Sequence, residues 1–135
     1  MKPQIALITI LTDFVPGMLK FYRDVLGFNV KNDLGEYVEL ENDGVRFAIC
    51  DRDVMLKATN HEDYMRGANG QAFELAFGCD SPAEVDTFYE KLLAGGAKPV
   101  QAPSTMPWGQ RTAFFEDPEG YIHEIFSELP TLAEE

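Results

Sequence analysis

Apolar residues fill residues 5–11 almost without a break, which predicts a central strand that stops at the polar pair Thr12-Asp13. Over 14–26 the apolar positions Met18, Phe21, Tyr22, Val25 and Leu26 recur at helical spacing, and Gly27 follows as a terminating glycine. An amphipathic helix is therefore expected there. Two short β-rich runs at 37–40 and 45–49 flank Glu41-Asn42-Asp43-Gly44, whose Asp-Gly pair is a hairpin signal. The order then returns: a strand over 72–77, a turn at Cys79-Asp80-Ser81-Pro82, a helix over 83–94 ending at Gly95-Gly96, and strands over 112–115 and 121–126.

The recurrence extends to single residues. Asp13 stands eight residues before Phe21-Tyr22, and Asp80 stands eight before Phe88-Tyr89. Matching landmarks on similarly ordered elements predict a duplicated β-α-β-β-β unit, with halves at about 4–60 and 71–129 of a single domain. The stretch 61–70 reads as a polar linker and 131–135 as a frayed acidic tail. Both Phe-Tyr pairs follow core periodicity and are expected inside.

Composition narrows the function classes. With 45% hydrophobic residues in a chain of 135, there is apolar surface for a sizeable core. Eleven Lys and Arg against 23 Asp and Glu give a net charge of −12, which repels nucleic acid and anionic lipid and attracts a small cation. Cys50 and Cys79 form no CxxC motif and read as reduced core thiols. With no apolar run of membrane-spanning length, a soluble cytoplasmic protein is the expectation.

Two stretches carry a family resemblance. Phe21-Tyr22-Arg23-Asp24-Val25-Leu26-Gly27-Phe28 resembles the helix end of the vicinal oxygen chelate superfamily, the group of glyoxalases, bleomycin resistance proteins and extradiol dioxygenases. Pro107-Trp108-Gly109-Gln110-Arg111 and Asp117-Pro118-Glu119-Gly120-Tyr121 resemble second-half segments of the same group. The resemblance implies an α+β fold of two paired β-α-β-β-β modules forming a curved mixed sheet with a central cleft, working as a homodimer. It also implies a metal site in the metal-dependent members, with four ligands, two from each half. Carried onto this chain, the four positions are Ala6, Ala48, Glu74 and Glu124.

Neither alanine can hold a metal, and two carboxylates alone make a weak, unselective site. No tightly bound metal cofactor is therefore expected. A Glu in an apolar strand needs a partner, water or a ligand, so Glu74 and Glu124 read either as ligand contacts or as salt-bridge partners of Arg46 or Arg111. A Pro-rich loop is expected over 101–110, leading into a strand at the cleft rim, and Trp108 and Arg111 read as rim residues able to close over a ligand, or as scaffold. His123, adjacent to Glu124, is expected on the opposite face, and neither it nor His61 has a motif partner. Three readings follow: a small-molecule binding protein without a complete metal site, a divergent metal-dependent lyase, isomerase or dioxygenase, and a dimer module whose pocket is vestigial.

Overall fold

The duplicated element order is realised twice over. The computed structural model describes residues 1–67 and 70–130. It divides into two compact units, Met1–Ala68 and Asn69–Glu135. The expected tail at 131–135, and Ala68 and Asn69 of the expected linker, lie outside the described residues.

The first unit runs β1 (Leu7–Thr12), α1 (Val15–Lys20), β2 (Val30–Asp33), β3 (Tyr37–Leu40) and β4 (Arg46–Asp51), forming a four-stranded sheet of order β1-β4-β3-β2. The strand expected to be central thus lies at the edge of its sheet, paired among the described residues with β4 alone. α1 continues as a π-helical turn, Phe21–Val25. The Thr12 hydroxyl accepts the Phe14 N–H ahead of the helix, and Gly27, at φ +97, supplies the left-handed residue beyond its end. The helix buries Met18, Phe21 and Tyr22 against the sheet side that carries Phe47, Ile49 and Ile10. Tyr22 meets Phe21 and Phe47 edge-on at 5.6 and 5.7 Å. Each such ring contributes about 1.5–3 kcal/mol on burial.

Beyond β4 lies an element the polar pattern does not reveal, α2 (Arg52–Thr59), followed by a 3-10 turn at Glu62–Met65 within the expected linker. Capping by Asp51, whose carboxylate accepts the Asp53 N–H at 2.8 Å, starts α2, and Asn60 in the left-handed conformation ends it.

The second unit repeats the topology: β5 (Ala76–Gly78), α3 (Pro82–Ala94), β6 (Lys98–Thr105), β7 (Gln110–Glu116) and β8 (Ile122–Glu128), in sheet order β5-β8-β7-β6. Ser81 caps α3 through the Glu84 N–H, with Pro82 in the first turn. Tyr89 is buried and Phe88 half-buried, with the Lys91 ammonium 5.3 Å above the Phe88 ring centre.

Two expectations fail here for visible reasons. The strand expected over 72–77 pairs only from Ala76, because side chains replace the ladder before it. The His123 imidazole accepts the Leu75 N–H at 3.0 Å, and the Gln71 amide exchanges two bonds with the backbone of Ile122. The loop expected over 101–110 is strand as far as Thr105. Its prolines fit because β6 is an edge strand, with register shifts between Pro99 and Ser104. Among the described residues no helix is long and apolar enough to cross a membrane.

Candidate functional site

The register of the second sheet separates its residues into two faces. Residues directly opposed on neighbouring strands share a face, and residues alternate along each strand. Arg111, Ala113, Phe115, His123 and Ile125 fall on the side where α3 packs, since Arg111 bonds Asp86 of α3 at 2.6 Å. Gln110, Thr112, Phe114, Glu124 and Phe126 fall on the face opposite α3, joined there by Ala76 and Gly78 of β5.

This parity corrects one expectation. Arg111 is not beside Glu124: it points to the other side of the sheet and is held by the Asp86 carboxylate through three hydrogen bonds. Trp108 is 61% exposed in the turn between β6 and β7, where its Nε1–H donates to Gln110 Oε1 and the Gln110 amide donates to Glu128. The guanidinium is thus engaged by α3 and the indole by the turn.

Glu124 is half-buried, and its backbone N–H donates to Leu75 O at 2.9 Å. Burial, and then the negative charge of Glu74, raise its carboxyl above the ordinary carboxylate value. Glu74 is exposed, two residues before β5. The arginines considered as partners are engaged elsewhere, Arg46 with Glu39 and Arg111 with Asp86. Among the described residues neither Glu74 nor Glu124 has an ion-pair partner.

Behind Glu124, on the helix side, His123 is completely buried. The Leu75 N–H can only donate, so Nδ1 accepts and Nε2 carries the proton, which it donates to Asp117 Oδ2 at 3.1 Å. Asp117 Oδ1 accepts the N–H groups of Glu119 and Tyr121 and so closes the turn that joins β7 to β8. His123 is a structural link between turn, strand and β5. His61 is exposed and caps the 3-10 turn through the Asp63 N–H.

In the first sheet the same arithmetic of rungs applies. Ala48 stands opposite Glu39 and beside Thr9, as Glu124 stands opposite Phe114 and beside Ala76. The rung that corresponds to Glu74 is consequently Leu7, while Ala6 lies one residue ahead of β1. Neither residue carries a donor, and the first unit offers no metal-ligating side chain at these positions. No three His, Cys, Asp or Glu side chains among the described residues form a group able to hold a metal ion, so the donor set does not fit the divalent site of the metal-dependent members. Both cysteines are free, and burial pushes the Cys79 thiol up to about 11, which leaves it a poor nucleophile.

One residue of this face carries no signal of its own in the sequence. Thr112 is fully buried, and its hydroxyl has no hydrogen-bond partner. Counting outward from the turn closed by Asp117 and Tyr121 pairs Phe114 with Glu124 and would have put Thr112 on the same face.

The comparisons agree with this architecture. A solved glyoxalase/bleomycin resistance protein/dioxygenase from Nocardioides is 27% identical with a TM-score of 0.81, over 96% of this chain and 85% of that one. A family enzyme from Burkholderia phytofirmans PsJN has a TM-score of 0.86 at 21% identity, over 94% of this chain and all of that one. The uncharacterized protein YraH of Bacillus subtilis is 28% identical over 116 residues, 82% of this chain and 88% of that protein. The model of the Glyoxalase/Bleomycin resistance protein/Dioxygenase superfamily matches residues 4–125, and the chain belongs to that superfamily.

Proposed function

We propose that the chain binds a small cationic molecule on the face of its second sheet opposite α3, with Glu124 and Glu74 as the charged contacts and without a complete metal site. The observation that carries this reading is Glu124, a half-buried carboxylate on the sheet face opposite α3, with a second carboxylate as its electrostatic neighbour and no cation of the described chain beside it. Such a group is poorly satisfied by the protein alone, and an ammonium ligand would satisfy it. The net charge of −12 favours the same sign of ligand. Family membership supports a small-molecule ligand, a homodimeric form and a cytoplasmic setting as parts of the same proposal.

The test is an NMR titration of the protein and of the Glu74→Gln/Glu124→Gln double variant with n-propylamine, alongside elemental analysis of protein purified without added metal. The expected result is a drop in propylamine affinity of about tenfold or more in the double variant, which is about 1.4 kcal/mol. An unchanged affinity makes the two glutamates structural and moves the search to the Trp108 turn. Stoichiometric zinc, nickel or iron overturns the metal-free reading and favours a divergent lyase, isomerase or dioxygenase.

A further inference from the structure

Thr112 sits in the middle of β7, between Ser104 of β6 and Phe126 of β8. Its hydroxyl is the one buried side-chain polar atom among the described residues without a hydrogen-bond partner. A valine there would keep the shape and the strand preference while leaving no polar atom unpaired. The hydroxyl is therefore a cost that packing does not explain. Glu124 lies on the same face, one ladder diagonal away, a separation of about 7 Å between Cα atoms. Two unmet polar groups, a hydroxyl and a carboxylate, thus occupy neighbouring rungs.

The geometry points to Thr112 as the second hydrogen-bonding group of the site that Glu124 anchors, selecting small amines that carry a hydroxyl about three carbons from the ammonium. This deepens the function proposed above and rests on it. The ammonium sits on Glu124, while the ligand hydroxyl forms one hydrogen bond with the Thr112 hydroxyl, which can serve as its donor or its acceptor. A plain alkylamine reaches the carboxylate and leaves the threonine unpaired. Access comes from rotation of the half-buried Phe114 or Phe126 rings, which flank the hydroxyl along the strand and across the ladder.

The experiment is a pair of NMR titrations, with 3-amino-1-propanol and with n-propylamine, on the protein and its Thr112→Val, Thr112→Ser and Glu124→Gln variants. The expected preference for the amino alcohol is about fivefold in the protein, kept in Thr112→Ser and lost in Thr112→Val. Thr112→Val should also melt no lower than the protein, so a lost preference is not a folding defect. A preference that survives in Thr112→Val overturns the inference. So does a protein that binds both amines equally through Glu124, which leaves the function itself standing. If neither amine binds, both are overturned.

Discussion

Glu39 and Glu124 stand on the faces opposite α1 and α3 of two sheets with the same strand order, on rungs that match one another. Opposite Glu39 is Ala48, which occupies the place of Glu124, and opposite Glu124 is Phe114, which occupies the place of Glu39. The carboxylate has in effect moved across one strand between the halves. Glu39 is 5% exposed and held by the Arg46 guanidinium through two hydrogen bonds, with Lys31 at 3.7 Å. Its carboxyl lies below the ordinary value, chiefly through the Arg46 hydrogen bonds, whereas that of Glu124 lies above it, chiefly through burial. One scaffold therefore carries a neutralised carboxylate in one half and an unneutralised one in the other. Packing alone does not require the second, which is why the functional reading settles there.

The helix sides of the two sheets differ in the same sense, and the largest effect is expected there. Where the first sheet has Phe47, the second has His123, bonded to Asp117 and to Leu75. Replacing Asp117 with Ala strips the acceptor from a fully buried imidazole and from the N–H groups of Glu119 and Tyr121. A loss of about 3 kcal/mol or more is expected, a fall in Tm of about 10 °C. A variant that melts within a degree or two of the protein would empty this half of the comparison of energetic content.

A smaller loss is expected from Glu39→Gln, which leaves Arg46 and Lys31 without their anion. Because the Glu39 carboxyl is lowered, its contribution is present at neutral pH and is lost as pH falls through the acid range. The variant should melt a few degrees lower at pH 7 and converge with the protein near pH 3, as read by thermal melts across that range. An equal difference at all pH values would show that shape, not charge, holds Glu39.

Much of this scaffold is written locally. The Asp-Gly turn, the two terminating glycines and the spacing of Met18, Phe21 and Tyr22 each act within a few residues, so the repeat and both long helices are legible in the amino-acid sequence alone. Features set across the sheet are not. Edge strand β6 contains Pro99 and Pro103, which locally signal a loop, and only its place at the sheet margin makes them harmless. β5 is cut short by His123, a residue 48 positions from Leu75. Glu74 and Glu124 are visible as carboxylates in apolar runs. That Arg111 turns away from them, and that Leu7 rather than Ala6 shares the rung of Glu74, depends on register. Thr112 looks like any strand threonine until its hydroxyl is found without a partner.

The smallest and most discriminating effect is expected at Glu124 itself. Its raised carboxyl means that the folded chain holds the proton more tightly than the unfolded one, so the fold gains at low pH and that gain is lost as pH rises through the folded value. Glu124→Gln keeps the shape and removes the charge. At pH 7 it should therefore raise Tm by about 1–3 °C, with the difference shrinking toward pH 4, opposite in sign to Glu39→Gln at every neutral condition. Glu74→Gln removes the second cause of the shift and should lower the Glu124 titration midpoint in a carboxyl NMR titration while leaving Glu39 untouched. If Glu124→Gln instead lowers Tm at pH 7, the protein itself satisfies that carboxylate, and the contrast between the two sheets ceases to mark a ligand site.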